Sequence, residues 1–104
     1  MLLSVKERLL LLNVLPDKGD YTSIKIIRKL REDLSFSEKE HKEFNIKMEE
    51  NGLVLWDDKA EKPKDVPIGE KAIDIIKGSL RKVNAEQQIT EDLIPVYEKF
   101  VLDE

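Results

Sequence analysis

Glu38 and His41 stand at the spacing of one arm of a di-iron carboxylate site, where Glu-x-x-His on one helix face supplies an oxygen and an imidazole ligand. Such a site needs that motif twice together with further Glu ligands, and His41 is the only histidine in the 104 residues. His41 therefore reads as an exposed residue in a helix-cap region. Asp17, Gly19 and Asp20 offer hard oxygen ligands, but a helix-to-helix turn and the N-cap after it call for the same residue types. The chain has no cysteine, which removes thiol catalysis, Cys-ligated zinc or iron–sulfur sites and disulfides. It contains no glycine-rich phosphate loop, nucleophile elbow or zinc-binding helix motif. The expectation is a protein that is not an enzyme and uses neither cofactor nor metal.

Four cations come next: Lys25, Arg28, Lys29 and Arg31. At helical spacing Lys25, Arg28 and Lys29 share the polar face of one helix with Arg31 at its flank, a contact for phosphate or an acidic partner or simply a solvated face. Glu32 and Asp33 follow and can pair with Arg28 and Lys29. Three helices and then a hairpin is the order of a winged-helix domain. In that arrangement the reading helix would be Ser37-Glu38-Lys39-Glu40-His41-Lys42-Glu43 and the wing tip Glu49-Glu50-Asn51, both rich in carboxylates that phosphate repels. The whole chain carries 18 basic and 22 acidic residues, a net charge of −4. Residues 1–52 hold ten of each sign and residues 53–104 hold eight basic and twelve acidic, so the second half carries the whole excess. Nucleic acid is not the favoured partner.

The elements that must position these residues are legible. Ser4 and Glu7 form a capping box that opens a helix over residues 5–15, stopped by Pro16. Leu9, Leu10, Leu11 and Leu12 are successive, so at about 100° per residue they point all round that helix. It is either central in the core or shared with another chain, and these leucines are interface candidates on the second reading. Residues 23–34 place Ile24, Ile27, Leu30 and Leu34 on one buried stripe, capped by Asp20 or Thr22. Ser37 and Glu40 make a second capping box for a short helix, with Phe36 at the staple position opposite His41.

The period then changes from helical to two. Residues 44–49 alternate apolar with polar, Asn51 and Gly52 make a turn, and Leu53-Val54-Leu55-Trp56 returns. A two-residue turn would set Met48 opposite Leu55 and Trp56 opposite Lys47. A three-residue loop with Gly52 in a bulge sets Val54 opposite Met48 and Trp56 opposite Ile46. The second is expected, because it gathers Ile46, Met48, Val54 and Trp56 on one buried face. Residues 57–69 read as a polar linker with Pro63 and Pro67. A helix over 70–83 follows with Ala72, Ile73, Ile76, Leu80 and Val83 on its apolar arc, Gly78 marking close packing or a tolerated defect. A last helix opens at Thr90, bent by Pro95, with Leu93, Val96, Tyr97 and Phe100 buried.

The fold class expected is α+β in a single domain, residues 1–104: helices plus hairpin over 1–56, linker over 57–69 and a C-terminal helical pair over 70–102. No stretch approaches the ~20 apolar residues of a membrane span and none resembles a signal peptide, so a cytoplasmic location is expected. Glu7-Arg8-Leu9-Leu10-Leu11-Leu12-Asn13-Val14-Leu15-Pro16, then Arg28-Lys29-Leu30-Arg31-Glu32-Asp33-Leu34-Ser35-Phe36-Ser37-Glu38, and the ending Tyr97-Glu98-Lys99-Phe100 resemble small proteins encoded in tailed-phage and prophage genomes. That resemblance implies a context of adaptors, regulators and inhibitors of host machinery, defence systems included, and would place the protein in host cytoplasm. The combined reading is a non-catalytic protein-interaction module that binds a host-derived partner and self-associates as a homo-oligomer. Its interaction candidates are Leu9, Leu10, Leu11, Leu12 and Trp56. The alternative is a winged-helix-like nucleic-acid-binding regulator.

Overall fold

The computed structural model describes residues 1–50, 52–57 and 59–102. It is an α+β arrangement of β1 (Leu2–Leu3), α1 (Val5–Val14), α2 (Tyr21–Leu34), α3 (Glu38–Glu43), β2 (Lys47–Met48), β3 (Val54–Leu55), β4 (Lys64–Asp65) and α4 (Glu70–Ala85). A 3₁₀ turn (Glu91–Leu93), α5 (Ile94–Tyr97) and a π turn (Glu98–Leu102) complete it.

Helix starts follow their local chemistry. Both capping boxes form: the Ser4 hydroxyl accepts the Glu7 N–H and the Ser37 hydroxyl accepts the Glu40 N–H, while each glutamate reaches back to its cap's N–H. Asp20 caps α2 by accepting the Ser23 N–H at 2.8 Å, and this bond lowers its carboxyl pKa. Helix α4 buries Ala72, Ile76 and Leu80. A methyl added at Gly78 would meet nothing within 4 Å, so this glycine serves no close approach. Pro95 lies in the first turn of α5 rather than deep in a helix. The segment changes from 3₁₀ to α to π winding instead of bending one continuous helix.

Helix α1 is the centre of the molecule, packed by α2, α4 and α5. Leu11 is fully buried, whereas Leu9, Leu10 and Leu12 are partly buried. The interface reading of these leucines is corrected for Leu11, which is fully buried in the core cluster and leaves nothing for a partner to touch. One core cluster joins Leu3, Leu11, Ile27, Leu34, Ile76 and Phe100, drawing on both ends of the chain.

The linker expectation changes most. Lys64 and Asp65 pair antiparallel with Leu3 and Leu2, and the Val66 N–H continues the ladder to the Met1 carbonyl at 2.8 Å. Val66 is fully buried and belongs to the core cluster. The stretch is thus partly a strand that ties the start of the chain to its middle.

The hairpin has the register expected from the three-residue loop, with Met48 opposite Val54 and Lys47 opposite Leu55. Gly52 has φ +85°, a left-handed conformation that glycine adopts without steric cost. Asn51, named at this turn, lies outside the described residues. The strands are shorter than the alternation suggested, because Phe44 caps α3 and Asn45 turns through φ +52° before pairing begins.

Candidate interaction surfaces

Three places gather the side chains with functional potential: a buried corner, the hairpin and the α2 face. The corner is built around Arg8, whose side chain is fully buried. Its position in the Val5, Leu11, Leu15 stripe of α1 turns it inward, toward the end of α2. There Nε donates to the Leu34 carbonyl at 3.0 Å and Nη2 to the Ser35 carbonyl at 2.6 Å. Nη1 and Nη2 grip the two carboxylate oxygens of Glu40 at 2.5 and 3.2 Å. The guanidinium lies 4.0 Å from the centre of the Phe36 ring, and His41 meets that ring edge-on. Hydrogen bonding from Arg8 brings the Glu40 carboxyl down to about 2, against the upward push of partial burial. One carboxylate thus caps α3 and neutralises a buried cation. Arg8 was missed as a sequence signal, although a lone cation in an apolar stripe at i, i+3, i+7 was there to be read.

The hairpin presents two different faces. Ile46, Val54 and Trp56 are partly buried on the inner side. Trp56 Nε1 donates to one Glu61 oxygen at 3.2 Å, and the other Glu61 oxygen accepts the Val5 N–H at the start of α1. The Asp57 N–H donates to the Phe44 carbonyl at 2.7 Å, closing the base. Trp56 is thereby a fastening of the hairpin to the body. Met48, expected on the buried face, is 79% exposed. It stands in the last pair before the turn, on a ribbon that contributes nothing described to the core cluster. On the outer face Leu53 and Leu55 are 54% and 45% exposed, and they line one shallow depression with Glu49 and Glu50. Exposed leucines two residues apart on one arm of a hairpin, rimmed by carboxylates, are what protein-contact surfaces expose.

The four cations of α2 are not one stripe. Arg31 folds back over the α1–α2 turn, where Nη2 donates to the Pro16 carbonyl and to Asp17, both at 3.2 Å. Lys29 pairs with Asp33 at 3.1 Å and Arg28 approaches Glu32 at 4.0 Å, the i, i+4 geometry expected of exposed helix pairs. Lys25 is exposed, and with Lys29 it borders an open depression between α2 and the start of α4. The expected contact group thus keeps Lys25 and Lys29 together, with Arg28 exposed nearby and Arg31 committed elsewhere.

Among the described residues no helix is long and apolar enough to cross a membrane, and no three of His, Asp or Glu gather at metal-binding distance. No protein-family model, curated protein or solved structure matches the chain.

Proposed function

We propose that this chain is a non-catalytic protein-interaction module, a phage-type regulatory or inhibitory protein of the anti-defence kind, that binds a host component through its hairpin. The observation that carries this reading is the exposure of Met48, Leu53 and Leu55 on a ribbon outside the core. Removing large apolar side chains from water is the main source of free energy in association, and their exposure otherwise contributes nothing to folding. The phage-type context rests on the sequence resemblance described above. Affinity capture from a bacterial host lysate tests the reading: the wild-type chain retains a partner and L53S/L55S loses it. Equal capture by both would exclude the hairpin as the contact.

A winged-helix-like nucleic-acid regulator is the second reading, favoured by the order α1, α2, α3, β2, β3. Against it, α3 is six residues long with none buried, and its exposed side chains include Glu38 and Glu43. Moreover, β1 pairs with β4 and not with the hairpin. This reading requires salt-sensitive binding to duplex DNA that weakens in K25A/R28A/K29A; absence of binding at low salt removes it.

A further inference from the structure

The hairpin meets the rest of the chain at two differently built joints. At its base the ribbon is bonded to the end of α3: the Ile46 N–H donates to the His41 carbonyl at 3.1 Å and the Asp57 N–H to the Phe44 carbonyl at 2.7 Å. Phe44 and Ile46 flank Asn45, whose φ of +52° turns the chain between helix and ribbon. Bonds gathered at one end of a ribbon let it swing about that end. The second joint is made from the other side. Glu61 is half-buried and stands three residues before β4, which pairs with β1, and β1 runs into α1 at Ser4. One Glu61 oxygen accepts the Val5 N–H, a donor that the first turn of a helix cannot satisfy internally. The other accepts the Trp56 indole N–H at 3.2 Å. A carboxylate makes this bond charge-assisted, roughly twice as strong as one between neutral groups.

Trp56 decides which way the ribbon faces. Successive residues of a strand point to opposite sides, so an indole drawn to the body turns Leu55 outward. Trp56 is half-buried and Leu55 is exposed, in keeping with that alternation. Met48, opposite Val54, shares the Trp56 side but lies close enough to the tip to stay in water. We infer that Glu61 is the positioning residue of the hairpin: its carboxylate, fixed at the start of α1, holds Trp56 and thereby sets the face that the ribbon presents. The inference rests on the hairpin contact proposed above and adds the residue that orients it in advance, so that less ordering is left for the moment of binding. Without that carboxylate the ribbon stays paired but swings on its α3 joint.

Hydrogen exchange of the full chain, followed residue by residue by NMR, tests this without any partner. In Glu61→Ala the Ile46 and Asp57 amides at the joint exchange at least about tenfold faster, the factor that corresponds to one hydrogen bond to a charged group. The Leu11 and Ile76 amides of the core keep their wild-type rates. Trp56 is the sole tryptophan, and in the same variant its emission shifts to the red and its anisotropy falls. Trp56→Phe removes the indole donor but keeps a ring. It speeds the same two amides and leaves Val5 protected, whereas Glu61→Ala exposes Val5 as well. Glu61→Gln, with one acceptor oxygen left, falls between alanine and wild type. Joint amides at wild-type rates in Glu61→Ala or Trp56→Phe would overturn the inference, because the carboxylate would then serve only the end of α1. Faster exchange throughout the core would overturn it too, as the mark of a merely structural residue. In capture from lysate, Glu61→Ala and Trp56→Phe hold the wild-type partner at least about threefold more weakly, since a smaller fraction of ribbons is correctly oriented. Retention equal to wild type overturns the positioning role. A wild-type chain that captures nothing strikes the proposed function, and exchange at the joint still decides whether Glu61 orients the ribbon.

Discussion

The corner where α1 meets the α2–α3 turn and the hairpin that follows α3 hold misplaced side chains in opposite ways. In the corner a guanidinium is withdrawn from water, and its donors find two carbonyls, a bidentate carboxylate and an aromatic face. In the hairpin, Met48 stands largely in water and Leu53 and Leu55 are about half exposed. The asymmetry has a physical basis. A buried charge without partners costs several kcal/mol, whereas an exposed leucine costs the folded state almost nothing, because it is exposed in the unfolded chain too. On the proposed function, stability concentrates at the corner and binding at the hairpin, and mutation should separate the two.

Breaking the corner has the largest expected effect. Arg8→Ala removes the guanidinium donors from the Glu40 carboxylate and the Leu34 and Ser35 carbonyls and opens space under Phe36. A loss of about 3–5 kcal/mol is expected in urea unfolding. If Arg8→Ala cost no more than an exposed substitution, the corner would not be the clamp described here.

Acid titrates the same corner more gently. The Glu40 carboxyl is depressed from 4.5 to about 2 in the folded chain, chiefly by hydrogen bonding from Arg8. A depressed carboxyl contributes stability that is fully present above its unfolded value and is lost as pH falls through the folded one. The window is therefore from about 4.5 down to about 2. Because the Glu40 side chain keeps some solvent access, the contribution is on the order of 2 kcal/mol. Glu40→Gln should be less stable at neutral pH and should lack this component of the acid slope, measured by unfolding at a series of pH values.

The same contrast explains what could be read before the fold was known. Ser4 with Glu7, Ser37 with Glu40, and the Ile24–Ile27–Leu30–Leu34 stripe are signals contained within a few neighbouring residues, and the helices start or bury where those signals say. The hairpin register was legible for the same reason, since loop length and alternation together decide it. The β1–β4 pair was not. A two-residue strand has no measurable period, and its partner lies about sixty positions away, so the linker concealed a strand and the buried Val66. Arg8 is half legible: its stripe is visible in the sequence, but its partner Glu40 also fits a helix cap, and nothing local shows that one carboxylate fills both roles. On the surfaces, Trp56 read as an anchor for a partner because aromatic residues often are. Its indole N–H bond to Glu61 could not be anticipated from a segment that looked irregular.

The smallest effect on stability is expected where the effect on binding is greatest. Leu53→Ser with Leu55→Ser removes apolar surface that is about half exposed, beside strands whose ladder is backbone-bonded. Serine carries some β-propensity penalty relative to leucine, offset by its better solvation, and surface changes of this type stay within about 0.5 kcal/mol. Unfolding midpoints of the double variant should match wild type while partner capture is lost. A large drop in stability would mean that these leucines pack against the body in solution, and the division between a clamped corner and a free ribbon would fail. Preserved stability with preserved capture would place the contact elsewhere on the molecule.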